Sequence, residues 1–276
     1  MTAIPMSLAM MVGGGTGLAQ ANSAPQETGS RWRRHTALVA VAAAAVAAAL
    51  SATRPGTYTL VDAAGTLLML LLVLGQWWTA YRGQWAMQRW LGIVVFLLFI
   101  LPVAGVELAA VTAYPGRHSG IAAAAGLAGV AGAALACGVV GGSLAACLLV
   151  GPFGDGASAP SQRALRRLLM MVIVMLLLRF ILSATMALWP WWDHWGVDSH
   201  APYAAGPPGS LAMEALLIGR YAVGLLLPLA AAALAFRAAG GGQGRCAGAL
   251  LWLGATSLVI GEACALELSR GTARPF

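Results

Sequence analysis

The stretch SLVIGEACALELSR, Ser257–Arg270, lies in the last of several long apolar segments and contains two carboxylates, Glu262 and Glu267. The segment around it, 247–269, is long enough to cross a bilayer, since a membrane helix needs about 20 predominantly apolar residues. A charge at the centre of a bilayer costs roughly 2.5–3.5 kcal/mol on insertion scales. Glu262 lies deeper in the segment than Glu267. The stretch therefore predicts a membrane helix with an acid that needs a charged partner, a wet cavity or the interface.

The composition of the whole chain is typical of a membrane protein. Hydrophobic residues make up 60% of the 276 residues, charged residues only 9%, and the mean hydropathy is +0.80. Soluble domains, in contrast, contain about 25% charged residues. No polar stretch is long enough to form a soluble core. We therefore predict an all-α fold, a polytopic transmembrane helix bundle that forms a single integral membrane domain over 1–276.

Eight apolar segments define the predicted spans. The first is short and glycine-rich, and its AQA before Asn22 resembles a signal-peptide cleavage site. No basic residue precedes it, however, whereas a signal peptide normally has a positive n-region. The prediction is therefore about eight spans, or seven if the first segment is a cleaved signal. The predicted spans are 4–21, 35–53, 58–80, 90–113, 120–151, 165–189, 211–236 and 247–269.

The arginines set the predicted orientation. All sixteen basic residues are arginine and the formal net charge is +7, which here is typical of residues that flank spans and does not indicate a nucleic-acid partner. With eight spans, ten arginines fall on one side, which is predicted to be cytoplasmic. Both termini then lie on the opposite side of the membrane. The glycine- and alanine-rich composition without lysine suggests a bacterial inner membrane, so that side is predicted to be the periplasm. The ten are Arg31, Arg33, Arg34, Arg82, Arg89, Arg163, Arg166, Arg167, Arg237 and Arg245.

Several ionisable residues are predicted at membrane depth. Arg179 and Arg220 lie well inside their segments, and Glu107 and Glu262 are the deep acids available to them on other helices. Two interpretations stay open for these buried charges. They form a structural ion pair between helices, or they line a polar pocket that handles protons or a polar head group.

The sequence has no pattern that predicts a metal or haem. The four histidines lie in loops or at span edges, whereas bis-histidine haem ligation needs histidines inside the bundle. Cys/His ligand spacings, HExxH, GxSxG and glycine-rich phosphate loops are also missing. We expect neither haem nor metal in this chain. The tryptophan-rich loop 189–210 is either an interfacial anchor or a cap over a site or docking surface.

Several stretches resemble, in order along the chain, the DmsC-type membrane anchor of dimethyl sulfoxide reductases, within the NrfD-like group. LVDAAGTLLML, 60–70, resembles the start of the third span, where the family has an acid implicated in quinol handling. SLAMEALLIGRYAVGLLLPLAAA, 210–232, resembles the seventh span with its arginine. LWLGATSLVIGEACALELSR, 251–270, resembles the last span with its Gly-Glu. Eight spans with both ends outside also resemble the family's layout.

The resemblance implies a membrane anchor subunit of a molybdopterin oxidoreductase. Such a subunit docks an iron–sulfur subunit, which connects it to the molybdopterin catalytic subunit, and it binds and oxidises menaquinol or ubiquinol. Asp62 takes the place of the quinol-associated acid, with Glu262 as a second proton acceptor. Arg54, in the SATRPG loop where the family has a histidine, or Arg220 would orient a quinone carbonyl. The chain alone would catalyse nothing, since the electrons need the partner's clusters.

Two other hypotheses use the same buried charges. The first is a small polytopic transporter or channel whose path is lined by the buried arginines and glutamates. The chain has no clear internal repeat, which transporters often have, and Pro102 and Pro228 are the candidates for breaks within spans. The second is a non-catalytic structural membrane protein, in which the buried charges only determine helix register.

Overall fold

The protein folds as a bundle of long helices. A computed structural model describes residues 3–53, 60–112, 119–151, 159–188 and 211–272, and no strand occurs within these ranges. Seven of the described helices are long and apolar enough to cross a membrane. The prediction of an all-α, polytopic bundle is therefore confirmed. The helices are α1 (Ala3–Asn22), α2 (Pro25–Ala52), α3 (Leu60–Arg82), α4 (Trp85–Thr112), α5 (Ser119–Val150), α6 (Ala159–Leu188), α7 (Leu211–Gly240) and α8 (Gly244–Thr272).

The first helix lies in the middle of the bundle. α1 packs against α2, α4 and α5, and its Met11 and Thr16 side chains are completely buried. Gly15 permits this packing, because a Cβ at that position would overlap the carbonyl oxygen of Cys137 on α5. For segment 4–21, the sequence allowed either a span or a cleaved signal. In the structure this segment is part of the core of the described bundle.

The fifth helix is the most buried of the seven spanning helices. Within its span, 72% of the residues are buried, compared with 44% or less in the other spans. Its glycine-rich sequence predicts close packing, since small residues let helices approach one another. Gly141 lies directly against Gly15 of α1, so that a Cβ on either residue would overlap the backbone of the other helix. The predicted central position of this helix is confirmed.

The arginine-rich segment RWRRH, 31–35, lies on a helix, whereas the predicted spans 4–21 and 35–53 leave most of it in the connection between them. α2 begins at Pro25, whose fixed φ suits the first helical turn, and Glu27 places a negative charge in that turn. Gly29 interrupts the helix with a φ of 69°, a conformation that favours glycine. The connection between α1 and α2 is therefore only two residues long.

The helix connections divide the bundle into two ends. The α1–α2, α3–α4 and α7–α8 connections, the end of α5 and the start of α6 lie at one end with the ten arginines named above, and we call it the arginine-rich end. Ala3 and Thr272 lie at the other, which we call the terminal end. Between the ends, large apolar side chains such as Leu67, Leu101 and Leu127 are 55–75% exposed, as roughly expected for a lipid-facing surface.

We predict that Gly141→Ala destabilises the bundle and that Gly65→Ala does not. The methyl group at 141 would overlap the backbone of Gly15 and Thr16, and overpacking of this kind costs about 1–3 kcal/mol. A Cβ at Gly65 meets no atom of the described residues within 4 Å, and there alanine gains about 0.5–1 kcal/mol over glycine in a helix.

The measurement is the thermal unfolding midpoint of the purified protein in a mild detergent. A lower midpoint for Gly141→Ala, beside an equal or higher one for Gly65→Ala, is the expected result. Equal midpoints for the two variants would contradict the close crossing of α1 and α5.

Candidate functional site

Three charged side chains from three helices meet inside the bundle. Arg179 of α6 donates from Nη2 to Glu262 Oε2 of α8 over 3.1 Å, and Arg220 of α7 donates from Nη1 to Glu262 Oε1 over 2.8 Å. The three side chains are at most 2% exposed. We call this group the buried triad.

The triad lies at one depth, well inside the helices. Arg179 is nine residues before the end of α6, Arg220 is nine residues after the start of α7, and Glu262 is ten residues before the end of α8. At a rise of 1.5 Å per residue, the triad is roughly 14 Å from the terminal end. Because the apolar core of a bilayer is about 30 Å thick, this depth lies within the membrane and not at its surface.

Arg220 belongs to a wide helical turn. Residues Gly219–Leu226 of α7 form a π-helical section, and the amide of Leu227 bonds to the carbonyl of Ala222, five residues earlier. Pro228 follows directly and has no N–H to donate, so the hydrogen-bond pattern of an ordinary α-helix cannot continue unbroken through this region. Such π-helical turns frequently occur at functional sites. Pro228 was one of the two candidate breaks predicted from the sequence.

Two glycines bring α7 and α8 together beside the triad. A Cβ on Gly224 would overlap Cα of Gly261, and a Cβ on Gly261 would overlap Cα of Gly224. The backbones of the two helices are therefore in direct contact. Because Glu262 is the next residue along α8, this contact holds its carboxylate within reach of Arg220.

The geometry of the triad limits what Glu262 can do. Both carboxylate oxygens accept a charge-assisted hydrogen bond, which is roughly twice as strong as a neutral one. Each oxygen keeps a second lone pair, but protonation of Glu262 would remove the negative charge that strengthens both bonds. A ligand with a carbonyl oxygen could replace the carboxylate as acceptor for one of those N–H groups.

Three of the six predicted site residues come together in the triad: Arg179, Arg220 and Glu262. Arg54 lies outside the described residues, as does the tryptophan-rich loop 189–210. Asp62 is the third residue of α3, and Glu107 is five residues before the end of α4. The side chains of both acids lie outside the described part of the chain. Their positions on the helices place Asp62 and Glu107 toward the terminal end, where the triad also lies.

A second buried polar cluster was missed by the sequence analysis. Gln20 Oε1 accepts hydrogen bonds from Gln76 Nε2 at 2.9 Å and Gln88 Nε2 at 2.8 Å, and Gln20 Nε2 donates to the carbonyl of Arg33 at 3.1 Å. All four residues are at most 1% exposed. We call them the glutamine cluster, which lies near the arginine-rich end. The available signal was the position of Gln20 and Gln76 within apolar segments, whereas Gln88 lies just before one.

Among the described residues, no group of three or more histidine, cysteine, aspartate or glutamate side chains could hold a metal ion. Comparison with models of protein families, with curated proteins and with solved structures finds no match. The chemistry of the triad and of the second cluster is therefore the basis for assigning a function.

We predict that Glu262→Gln lowers stability more than Arg179→Met does. One carboxylate holds both guanidiniums, so its loss breaks two ion pairs, whereas loss of Arg179 breaks one of them. Breaking a buried pair by removing one partner costs about 3–5 kcal/mol. The matched control is Glu214→Gln, because Glu214 is an exposed carboxylate on α7.

Thermal unfolding in detergent measures the effect. The expected order of midpoints is control, then Arg179→Met, then Glu262→Gln as the lowest. If Glu262→Gln unfolded with the control, the triad would not contribute to the stability of the bundle.

Proposed function

We propose that this chain is the membrane anchor subunit of a molybdopterin oxidoreductase, which docks an iron–sulfur subunit and binds quinol. The observation that supports this proposal is the buried triad, a set of two guanidiniums and one carboxylate at membrane depth. Ionisable residues within membrane spans are costly and typically mark proton or ligand pathways. The order of the stretches that resemble the DmsC-type anchors agrees with it.

Quinol oxidation needs donors to a quinone oxygen and acceptors for protons. Each quinol loses two electrons and two protons; the electrons pass to the clusters of the iron–sulfur subunit, and the protons pass to carboxylates and water. In the proposal, Arg220 donates an N–H to the quinone oxygen when it releases Glu262. Glu262 and Asp62 are then the two proposed proton acceptors. The quinol supplies the redox chemistry, and this chain supplies binding and proton transfer.

The π-helical turn favours one alternative function. A transporter often has its substrate site where a membrane helix departs from regular α-helical geometry, and α7 is π-helical at Arg220. In that case the triad would bind a small anion or carry protons across the membrane without a redox partner. The two functions differ in their partners, because only the anchor requires an iron–sulfur subunit and a molybdopterin subunit.

The first test is purification of the chain from its native membrane in a mild detergent, with mass spectrometry of the proteins that accompany it. Recovery of an iron–sulfur subunit and a molybdopterin subunit is the expected result. Recovery of the chain alone, together with solute uptake by vesicles that contain only this chain, would overturn the anchor function in favour of transport.

We predict that Arg220→Lys lowers quinol oxidation by the purified complex, whereas Arg237→Lys does not. Lysine keeps the positive charge but lacks the planar fork of donors that arginine presents. Loss of one well-placed charged hydrogen bond corresponds to roughly a tenfold lower rate. Arg237 is an exposed arginine on the same helix, which makes it the matched control.

The assay compares quinol-dependent electron transfer per assembled complex, with subunit content measured by gel filtration. Equal rates for Arg220→Lys and Arg237→Lys in fully assembled complexes would contradict a role of Arg220 in quinol oxidation. Docking would then be the remaining role of this chain. Asp62→Asn tests the second acid in the same assay, and we expect it to slow proton release and turnover together.

A further inference from the structure

A basic cavity opens at the arginine-rich end of the bundle. Its volume is about 390 Å³, within the roughly 300–1,000 Å³ range of ligand pockets. It lies where the α1–α2 connection meets the first turns of α4 and the third turn of α6. The lining residues are Ala21, Asn22, Ser23, Ala24, Arg33, Trp85, Ala86, Arg89 and Arg167. We call this space the basic cavity.

Arg33 is a buried cation at the wall of this cavity. Its residue is 1% exposed, and its guanidinium donates to Thr28 Oγ1 at 3.1 Å, to Gln88 Oε1 at 3.2 Å and to the carbonyl of Ser23. Each of these acceptors is neutral. The guanidinium also lies over the ring of Trp85, 4.9 Å from its centroid. Within the described part of the chain, no carboxylate pairs with Arg33, although buried arginines are normally paired with an acid.

The other charges around the cavity leave a positive excess. Arg167 pairs with Glu27 over 3.0 Å, and this carboxylate is 13% exposed. Arg89 is exposed and forms no ion pair with the residues that the structure describes. Three guanidiniums and one carboxylate therefore face or border this space, so its formal charge is positive by two. Low-dielectric walls strengthen the attraction of such a cavity for an anion.

We propose that the basic cavity binds a phosphate group, supplied by the head group of an anionic phospholipid or by free phosphate. Arginine presents a planar fork of N–H donors that matches phosphate oxygens. Met87 and Trp90 flank Ala86 and Arg89 on α4 and are 57% and 68% exposed, so an apolar surface continues from the cavity along the outside of the bundle. Basic pockets between membrane helices on the cytoplasmic side bind lipid head groups in this way.

Occupation of the cavity would also connect four helices. A phosphate between Arg33, Arg89 and Arg167 would link α2, α4 and α6, and the α1–α2 connection forms another wall. Arg33 is bonded to Gln88, which belongs to the glutamine cluster. Binding in the cavity therefore stabilises the packing at this end of the bundle, whether or not the chain anchors an oxidoreductase.

The test uses the full-length chain, purified in a neutral detergent and stripped of lipid. Native mass spectrometry measures retention of phosphatidylglycerol and of phosphatidylcholine, whose cationic choline the arginines repel. A parallel arm measures the shift of the unfolding midpoint with inorganic phosphate and with chloride at equal ionic strength. The variants are Arg89→Gln, which removes an exposed residue and should fold, and the control Arg245→Gln, an exposed arginine at the same end outside the cavity.

A lipid-derived phosphate predicts that one phosphatidylglycerol is retained by wild type and by Arg245→Gln. Arg89→Gln should then bind it about tenfold more weakly. A free-phosphate site predicts instead that inorganic phosphate, but not chloride, raises the unfolding midpoint, and that Arg89→Gln reduces this shift. Either result supports the phosphate site and identifies its source. Equal retention of both lipids in all variants, with no phosphate-specific shift, would overturn it.

Discussion

A single carboxylate holds two guanidiniums from different helices, and the packing of α6, α7 and α8 depends on it. No water in the membrane core can replace a lost partner, so polar groups there must be satisfied within the protein. The direct contact of Gly224 with Gly261 brings α8 against α7, so that the carboxylate of Glu262 reaches the guanidinium of Arg220. The π-helical turn before Pro228 satisfies backbone groups next to Arg220, since the amide of Leu227 bonds to the carbonyl of Ala222.

The buried polar groups of the bundle lie at two depths along the membrane normal, and the two sets differ in their chemistry. The charged triad lies toward the terminal end, whereas the glutamine cluster and Arg33 lie toward the arginine-rich end. Between them the interior consists mostly of small and apolar side chains. Ligand chemistry at the two ends therefore differs: a proton and a carbonyl oxygen suit the triad, and a multiply charged anion suits the basic cavity.

The fold class was predictable from the sequence because seven of the apolar segments are each long enough to span a bilayer, whatever their neighbours. The deep positions of Arg179, Arg220 and Glu262 were predictable for the same reason. Which acid each arginine contacts was not, because the partners lie on different helices and their meeting depends on the Gly224–Gly261 crossing. The helical start of α2 was also not predicted, because its cluster of arginines is typical of a connection between spans. The glutamine cluster was not predicted because a neutral amide carries no charge that points to an opposite partner on another helix.

The central position of α1 has a consequence for how the protein is made. Chains are synthesised from the N-terminus, so α1 is made before α5, which carries its close neighbour Gly141. Until α5 is inserted, Gly15 lacks the backbone contact with Gly141 that joins the two helices. Biogenesis of this bundle therefore requires the first helix to be retained, by the insertion machinery or by α2, while its final neighbours are still being translated. α1 completes its contacts in the core only when α5 arrives.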